Sequence, residues 1–274
     1  MPGHRRRGHE NWPHLRFLAV MTALGAPIGC VPEDPPEGPR RRAALDSVRP
    51  RPFAPSTATP KAERSPPRPP AKPAGRDPLL TEPFTDDFDR AELGENYRTS
   101  TAAWRISDGR LCGTRAHNRP VWLARRISTN ARVEFDAVTA SADGDIKVEV
   151  WGDGESGATS ASYRDATSYL VIFGGWKNSL HVLARTDEHA EDRGELRIDT
   201  HSEDPRTVPV EPGRRYHFRI ERRDGETVRW FVDDIEILSL TDPDPLAGPG
   251  HDHVGFNDWE TPVCFDNLDI QPLD

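Results

Sequence analysis

Alternation of apolar and polar side chains runs from residue 85 onward and constrains the fold of this chain more than any other feature. In one segment, Tyr216, Phe218 and Ile220 alternate with charged or polar residues. A period of two residues is typical of a β-strand with one buried face, and the Asp224-Gly225 pair that follows favours a tight turn. We therefore predict a β-hairpin over residues 214–232.

The same period recurs in many other short segments, and no helical period longer than two turns interrupts them. One such segment predicts an inner face of Ile146, Val148 and Val150 and an outer face of Lys147, Glu149 and Trp151. Short antiparallel strands with half-polar faces favour an all-β fold, a two-sheet antiparallel β-sandwich or jelly roll. Closure into a barrel is the alternative.

Composition divides the chain near residue 80. Residues 1–80 contain 17 of the 27 prolines and 14 basic against 7 acidic residues, whereas residues 81–274 contain 22 basic against 38 acidic residues. Proline without a period and with few apolar neighbours predicts a disordered tether over residues 30–80. Residues 81–274 are enough for one domain with a core, and their negative charge argues against nucleic acid as a partner.

The first 29 residues are typical of an export signal peptide. A positive stretch at residues 4–7 precedes an uncharged, mostly apolar run over residues 17–29, which is too short to cross a hydrocarbon core of about 30 Å as a helix. The run ends at Cys30, and the residues before it resemble a bacterial lipoprotein lipobox. That resemblance implies lipidation of Cys30, a membrane contact through the lipid anchor, and a place in the cell envelope, at the outer membrane or cell surface. A secreted protein is the alternative.

Several weak motifs follow one another in order over residues 84–272. They are Asp86-Asp87-Phe88-Asp89, Trp104–Leu111, Tyr216–Glu221, Asp242–Leu246, Gly255–Trp259 and Cys264–Ile270. Their order resembles the concanavalin A-like lectin/glucanase superfamily, in its laminin-G-like and 3-keto-disaccharide-hydrolase-like branches. The resemblance implies a jelly roll whose first and last strands are neighbours, and a polysaccharide or other glycan as the partner. Because jelly rolls host many functions, the ligand is an analogy at this point.

Two cysteines, Cys112 and Cys264, belong to the predicted domain. An exported chain folds in an oxidising compartment, where an even number of cysteines is expected to pair. The sandwich topology that the resemblance implies puts an early strand near the last one. We therefore predict a Cys112–Cys264 disulfide, with two buried free thiols as the alternative.

Acidic residues near the two ends of the domain suggest a cation site. If the end strands pair, the side chains of Asp86, Asp87, Asp89, Asp266 and Asn267 come together. Hard oxygen ligands suit Ca²⁺, which takes 6–8 of them, so a structural calcium is the one cofactor that the sequence suggests. The alternative is that these side chains cap turns and strand ends, as Asp often does.

The densest group of ligand-type residues lies between residues 169 and 194. Trp176, Asn178, His181 and Arg185 occur there, and we add Trp151 from the predicted outer face and Trp259 as a rim residue. Aromatic rings beside amide, cationic and carboxylate groups are what a sugar site needs. Alternatively, the alternating charges of the strands form solvated cross-strand ion pairs.

Catalytic signals are weaker. Retaining glucanases of the superfamily carry two carboxylates on a Glu-x-Asp-x-x-Glu strand, and this sequence has no such strand. Glu188, His189 and Asp192 are the remaining candidates for acid and base. We therefore expect carbohydrate binding without turnover. The alternatives are a glycan-cleaving hydrolase or lyase, and a structural or protein-binding envelope module; the sequence does not indicate an oligomeric state.

Overall fold

A computed structural model describes residues 77–274, and nearly all regular structure in this range is β-strand. The strands are β1 (Phe84–Asp86), β2 (Tyr97–Thr99), β3 (Trp104–Ser107), β4 (Arg110–Gly113), β5 (Val121–Leu123), β6 (Ala131–Thr139), β7 (Ile146–Gly152), β8 (Tyr169–Gly174), β9 (Leu180–Arg185), β10 (Gly194–Arg197), β11 (Arg215–Arg222), β12 (Thr227–Val232), β13 (Ile235–Thr241), β14 (His253–Asn257) and β15 (Val263–Pro272). A single left-handed turn, α1 (Gly175–Asn178), follows β8, and a 3-10 turn spans Pro205–Thr207. The predicted signal peptide, Cys30 and most of the predicted tether lie outside the described residues. Within residues 77–274, no helix is long and apolar enough to cross a membrane.

The strands form two antiparallel sheets. The back sheet has the order β13-β12-β11-β6-β15-β4-β3, with β1 also paired to β15, and the front sheet has the order β10-β9-β8-β7-β14-β5-β2. The predicted two-sheet sandwich is confirmed, and so is the hairpin over residues 214–232, in which Phe218 lies opposite Val232. The first and last strands are neighbours, since Asp86 lies opposite Leu268.

The core lies between the sheets and is rich in aromatic rings. Strand β6 alternates strictly between buried and half-buried residues, so it offers one face to the core. At its centre, the ring of Phe135 lies 5.0 Å from that of Phe218 on the back sheet and 5.2 Å from that of Phe256 on the front sheet. Burying one such ring stabilises the fold by roughly 1.5–3 kcal/mol, and these contacts hold the front sheet in place beneath the site described below.

The front sheet is buried on both faces at its centre. Strands β7 and β8 contain only buried residues. The loop over residues 153–168 packs Tyr163 and Ala166 against a second apolar cluster, which Leu170, Ile172, Leu180, Val182 and Ala184 complete. As a result, Lys147 is only 5% exposed and Glu149 is fully buried. Lys147 and Glu149 therefore do not form the solvated cross-strand ion pairs that were the alternative for this strand; their polar contacts are buried.

Trp151 requires a correction. Gly152 pairs with His253 and Val150 with Val254, which leaves Trp151 as the extra residue of a β-bulge, with a φ of 53°. A bulge reverses the face on which the next side chain lies. The indole therefore packs in the core, donates a hydrogen bond from Nε1 to the Ser128 carbonyl at 3.1 Å and is fully buried. The prediction that Trp151 lies on the outer face is wrong.

Cys112 and Cys264 form a disulfide, as predicted. They lie directly opposite one another on the paired strands β4 and β15. The bond joins residues that are 152 positions apart in the chain.

Candidate functional site

A cleft of about 550 Å³ opens over the outer face of the front sheet, where β7 begins and β8 and β14 end. It is lined by Asn118, Asp143, Asp145, Lys147, Ala161, Ser162, Trp176, Lys177, Glu188, His189, Trp259, Glu260 and Thr261. We call it the central cleft. Its volume lies within the range of roughly 300–1,000 Å³ that is typical of small-molecule sites.

A left-handed turn brings Trp176 to the cleft. Gly174 has a φ of 74°, and Trp176, Lys177 and Asn178 continue with φ values of 51°, 58° and 59°. Such values are unfavourable for residues with a Cβ, so the surroundings must hold the turn. Asn178 does so: its Nδ2 donates to the Val210 carbonyl at 2.8 Å, and its Oδ1 accepts from the Val210 amide at 2.9 Å. The turn thus presents a large apolar ring to solvent.

The ring of Trp176 is held from two sides and is still 36% exposed. The His189 ring approaches it edge-on at 5.6 Å between centroids. The Arg193 guanidinium lies 4.8 Å from the indole centroid, and it also donates to the carbonyl of Glu188 and to the carboxylate of Glu195. A cation over an indole face at this distance is attractive, so the orientation of the ring is fixed.

Trp259 is the second aromatic residue of the cleft. It follows β14, and its amide donates to Asp145 Oδ2 at 3.2 Å. Its half-buried ring meets the His117 ring edge-on at 4.9 Å, and its carbonyl accepts from the His117 amide at 3.0 Å. Two segments that are distant in sequence therefore fix this ring.

A buried lysine forms the floor. Lys147 Nζ donates to Asn118 Oδ1 at 2.8 Å and to Glu188 Oε2 at 3.0 Å, and it lies 3.9 Å from Asp145 Oδ1. Burial by itself would lower the pKa of Lys147, but the neighbouring carboxylates of Asp145 and Glu188 raise that pKa above its ordinary value. The ammonium group is therefore charged and ties together three segments of the chain.

Glu188 connects the floor to the loop that covers the sheet. Besides binding Lys147, its carboxylate accepts from the Tyr163 amide at 3.0 Å and lies 3.5 Å from His189 Nε2. Glu188 and His189, two of the three catalytic candidates, thus come together in the cleft. The third, Asp192, is exposed and does not line it.

Two buried carboxyl groups lie next to Trp259: Asp258 precedes it in the chain, and Asp145 accepts a hydrogen bond from its amide. Asp258 is fully buried and accepts from the Ala116 amide at 3.0 Å. Burial raises the pKa of Asp258 to about 7 and also raises the pKa of Asp145, despite Lys147. One lysine is thus shared among the carboxylates of Asp145, Glu188 and Asp258.

A separate buried network lies beside the floor. Glu149 accepts hydrogen bonds from the Tyr163 hydroxyl at 2.9 Å, from Asn257 Nδ2 at 2.8 Å and from the Ser168 hydroxyl at 2.6 Å. Burial outweighs these donors and raises the pKa of Glu149 to about 8. The network attaches the covering loop to β7 and β14.

The structure places only two of the six predicted ligand residues, Trp176 and Trp259, in the cleft. Asn178 supports the turn, and Trp151 is in the core. His181 is also buried, with Nδ1 accepting from the Gly174 amide at 3.0 Å and Nε2 3.2 Å from the Val208 carbonyl. Burial lowers the pKa of His181 to about 4, so the ring is neutral near pH 7.

Arg185 lies elsewhere on the front sheet. Its Nε donates to Asp242 Oδ2 at 2.7 Å, and the same carboxylate oxygen accepts from the Tyr169 hydroxyl at 2.8 Å. Arg185 does not line the cleft. Its local role is to hold the segment that follows β13.

The five predicted calcium ligands do not converge. The carboxylate of Asp86 binds the Arg90 guanidinium through both oxygens, at 2.6 and 3.0 Å, and also accepts from the Tyr97 hydroxyl. Asp87 Oδ1 accepts a hydrogen bond from the Asp89 amide. In β15, the pairing with β6 is irregular between Asp266 and Asp269, and Asn267 Nδ2 donates to Asp136. The Asp266 carboxylate lies 3.9 Å from the Arg215 guanidinium. Within residues 77–274, no group of three or more His, Cys, Asp or Glu side chains is arranged to hold a metal ion.

The floor residues Asn118, Asp145 and Asp258 were not identified from the sequence. One signal was available: Lys147 lies on a strand whose neighbour β8 is almost wholly apolar, which predicts a covered lysine that needs buried partners. Nothing in the sequence indicates that Asn118, in the loop before β5, supplies one of them. That contact depends on how the loops pack.

Comparison with known proteins identifies the fold. No protein-family model matches the sequence, and no curated protein matches it. Among solved structures, a Crh5 transglycosylase in complex with NAG covers 74% of this chain and 88% of its own, at 13% identity and a TM-score of 0.50. The carbohydrate recognition domain of Emp47p covers 70% and 96%, at 12% identity and a TM-score of 0.49. The carbohydrate-binding module CBM66 from Bacillus subtilis covers 64% and 95%, at 15% identity and a TM-score of 0.45. At 13% identity, the likeness to the transglycosylase concerns the fold alone.

Proposed function

We propose that the chain binds a carbohydrate in the central cleft, without turning it over. The observation that carries this proposal is the pairing of two partly exposed indoles, Trp176 and Trp259, with a charged, hydrogen-bonding floor. A pyranose ring has an apolar CH face that packs on an indole and a rim of hydroxyls that pairs with amide and carboxylate groups.

The rigidity of the cleft supports the proposal. Trp176 is held by His189 and Arg193, and Trp259 by His117 and Asp145. Side chains that are already ordered lose little conformational entropy when a ligand binds. The aromatic surfaces are therefore in place before the sugar arrives.

An array of plant, algal and bacterial polysaccharides tests the proposal, followed by titration of each positive glycan. We expect Trp176→Ala and Trp259→Ala each to weaken binding by roughly ten- to a hundredfold, because each removes a stacking surface. The control is Leu79→Ala, which truncates an exposed apolar side chain outside the cleft and should leave the affinity unchanged. Silence across the array contradicts the proposal, and capture of an envelope protein with no glycan signal would favour a protein-binding module instead.

Glycan cleavage is a second candidate function, and one contact favours it. His189 Nε2 lies 3.5 Å from Glu188 Oε1 in the same cleft, a distance from which a proton relay forms after a small movement. Release of shorter products from a bound polysaccharide, abolished by His189→Ala at polysaccharide concentrations that still saturate the variant, would establish cleavage. Binding with intact polymer after prolonged incubation would exclude it.

We further propose that the chain is exported and anchored through a lipid on Cys30 in the bacterial cell envelope. The composition of residues 1–30 supports this, and so does the Cys112–Cys264 disulfide, because such bonds persist in oxidising compartments. Mass spectrometry of the mature protein tests it. We expect a lipid-modified N-terminal cysteine and release into the soluble fraction on Cys30→Ser; a mature chain that retains residues 1–29 would contradict it.

A further inference from the structure

We propose that the ligand of the central cleft is positively charged, namely a glycan that carries free, protonated amino groups. This inference rests on the proposed carbohydrate binding and adds the chemical class of the sugar. It is carried by the charges that line the cleft and by their uneven distribution along it.

Carboxylates outnumber cationic groups in the lining. Four of the lining residues are acidic, Asp143, Asp145, Glu188 and Glu260, against the two lysines Lys147 and Lys177. Lys147 is already engaged by Asn118 and Glu188 at 2.8 and 3.0 Å. Lys147 and Glu188 pair with each other. The exposed carboxylates of Asp143 and Glu260 therefore meet one further lysine, Lys177, and the lining keeps a net negative charge.

The excess negative charge is concentrated at Trp259. Asp145 accepts a hydrogen bond from the Trp259 amide, while Asp258 and Glu260 are its neighbours in sequence. Asp258 is fully buried and does not line the cleft, so the acidic groups that a ligand would meet there are those of Asp145 and Glu260. A cation brought into the cleft favours the charged form of a buried carboxyl group such as that of Asp145.

The cations at the other end of the cleft do not offset this excess. The Arg193 guanidinium beside Trp176 is occupied by the carbonyl of Glu188 and the carboxylate of Glu195. Lys177 is exposed and follows Trp176 in the chain. An ammonium group on the sugar would therefore find carboxylates and an indole face together at the Trp259 end, and indoles attract cations. Uronic acids and sulfated sugars would be repelled there.

Three tetrasaccharides of the same linkage test the inference on the full chain: β-1,4-linked glucosamine, its fully N-acetylated form and β-1,4-linked glucose. At about pH 6, where the amine is protonated, we expect the glucosamine tetramer to bind at least about tenfold more tightly than the other two. The difference in affinity should shrink as the salt concentration rises from about 0.01 M to about 1 M, because the Debye length falls from about 30 Å to about 3 Å.

Neutralising the exposed carboxylates of the cleft tests whether they cause the preference for the amine. The double variant Asp143→Asn, Glu260→Gln changes two exposed carboxylates of the lining and should weaken binding of the amine-bearing tetramer by about two- to fivefold for each charge. Binding of the neutral glucose tetramer should weaken less than binding of the amine-bearing tetramer, because only the latter loses an attraction between opposite charges. The control is Glu226→Gln, which removes an exposed carboxylate from the β11–β12 turn of the back sheet and should have no effect.

The outcomes separate this inference from the proposed function. Equal or tighter binding of the acetylated or glucose tetramer, or of a uronate polymer on the array, overturns the inference and leaves carbohydrate binding intact. Silence of the three tetramers together with the whole array overturns both. Preference for the amine that is insensitive to salt and to the double variant also overturns the inference, since the selectivity would then not arise from these charges.

Discussion

At the scale of single residues, burial controls the chemistry of the front sheet. Glu149 and Lys147 are two positions apart on β7 and both buried, yet their surroundings differ in charge. Lys147 is compensated by carboxylates, whereas Glu149 is surrounded by the neutral donors Tyr163, Ser168 and Asn257. A buried acid without a cation beside it favours the protonated form, so Glu149 should make stability depend on pH.

We expect Glu149→Gln to flatten the pH dependence of stability between about pH 5 and pH 8. The pKa of Glu149 is raised from 4.5 to about 8, so its protonated form stabilises the fold fully below pH 4.5. That contribution is lost as the pH rises through about 8, and it amounts to a few kcal/mol at most. Urea unfolding at several pH values measures it as the difference between wild type and variant.

Glu221→Gln is the control for this experiment. Glu221 is also buried, but its arginine neighbours, Arg223 and Arg219, outweigh burial and lower its pKa. Its contribution is therefore present above 4.5 and lost only as the pH falls through its lowered pKa. The difference between wild type and this variant should stay constant from about pH 5 to pH 8. A constant difference for Glu149→Gln as well would contradict a neutral Glu149.

At the scale of elements, two local irregularities position the side chains that sequence periodicity misplaces. The bulge in β7 turns Trp151 into the core, and the left-handed turn after β8 turns Trp176 out to the cleft. Strict alternation predicts neither, because one inserted residue or one positive φ changes the face of every side chain that follows. The second irregularity begins at Gly174, where an added Cβ would clash with the side chains of Val210 and Asn178.

We expect Gly174→Ala to destabilise the fold by about 2–4 kcal/mol, through its positive φ and through overpacking. The new Cβ would lie 2.5 Å from Val210 Cγ2 and 2.8 Å from Asn178 Oδ1, so the anchor of the turn would have to shift. The variant should also bind the proposed glycan more weakly, because Trp176 belongs to this turn and would be displaced with it. Urea unfolding and glycan titration measure the two effects.

Gly213→Ala is the matched control for the turn. Gly213 has a similar φ of 77°, but a Cβ there would meet nothing within 4 Å. We expect this variant to lose only about 1 kcal/mol, the penalty of the backbone conformation, and to keep its glycan affinity. Equal losses in the two variants would show that backbone conformation alone, and not contact with Val210 and Asn178, determines the effect at Gly174.

At the scale of the whole molecule, the sequence predicted the sheets better than the cleft. Alternation succeeds for β6 and β11, because each buries one face against the core. It fails at β7, because the loop over residues 153–168 covers the outer face as well. The floor of the cleft could not be predicted, since Asn118 and Glu188 reach Lys147 from loops whose approach depends on the packing of the complete sandwich.

The Cys112–Cys264 disulfide constrains the whole sandwich. It joins β4 to β15 across 152 residues and thereby closes a loop that contains most of both sheets. Loop-closure entropy predicts a stabilisation of about 4–5 kcal/mol, and native disulfides typically contribute about 2–5 kcal/mol. We expect the double variant Cys112→Ala, Cys264→Ala to lose that amount in urea unfolding, and either single variant to lose about as much, because each one breaks the bond. Wild type in reductant should match the double variant, which itself should not respond to reductant. Wild-type stability that is unchanged by full reduction would contradict a structural role for the bond.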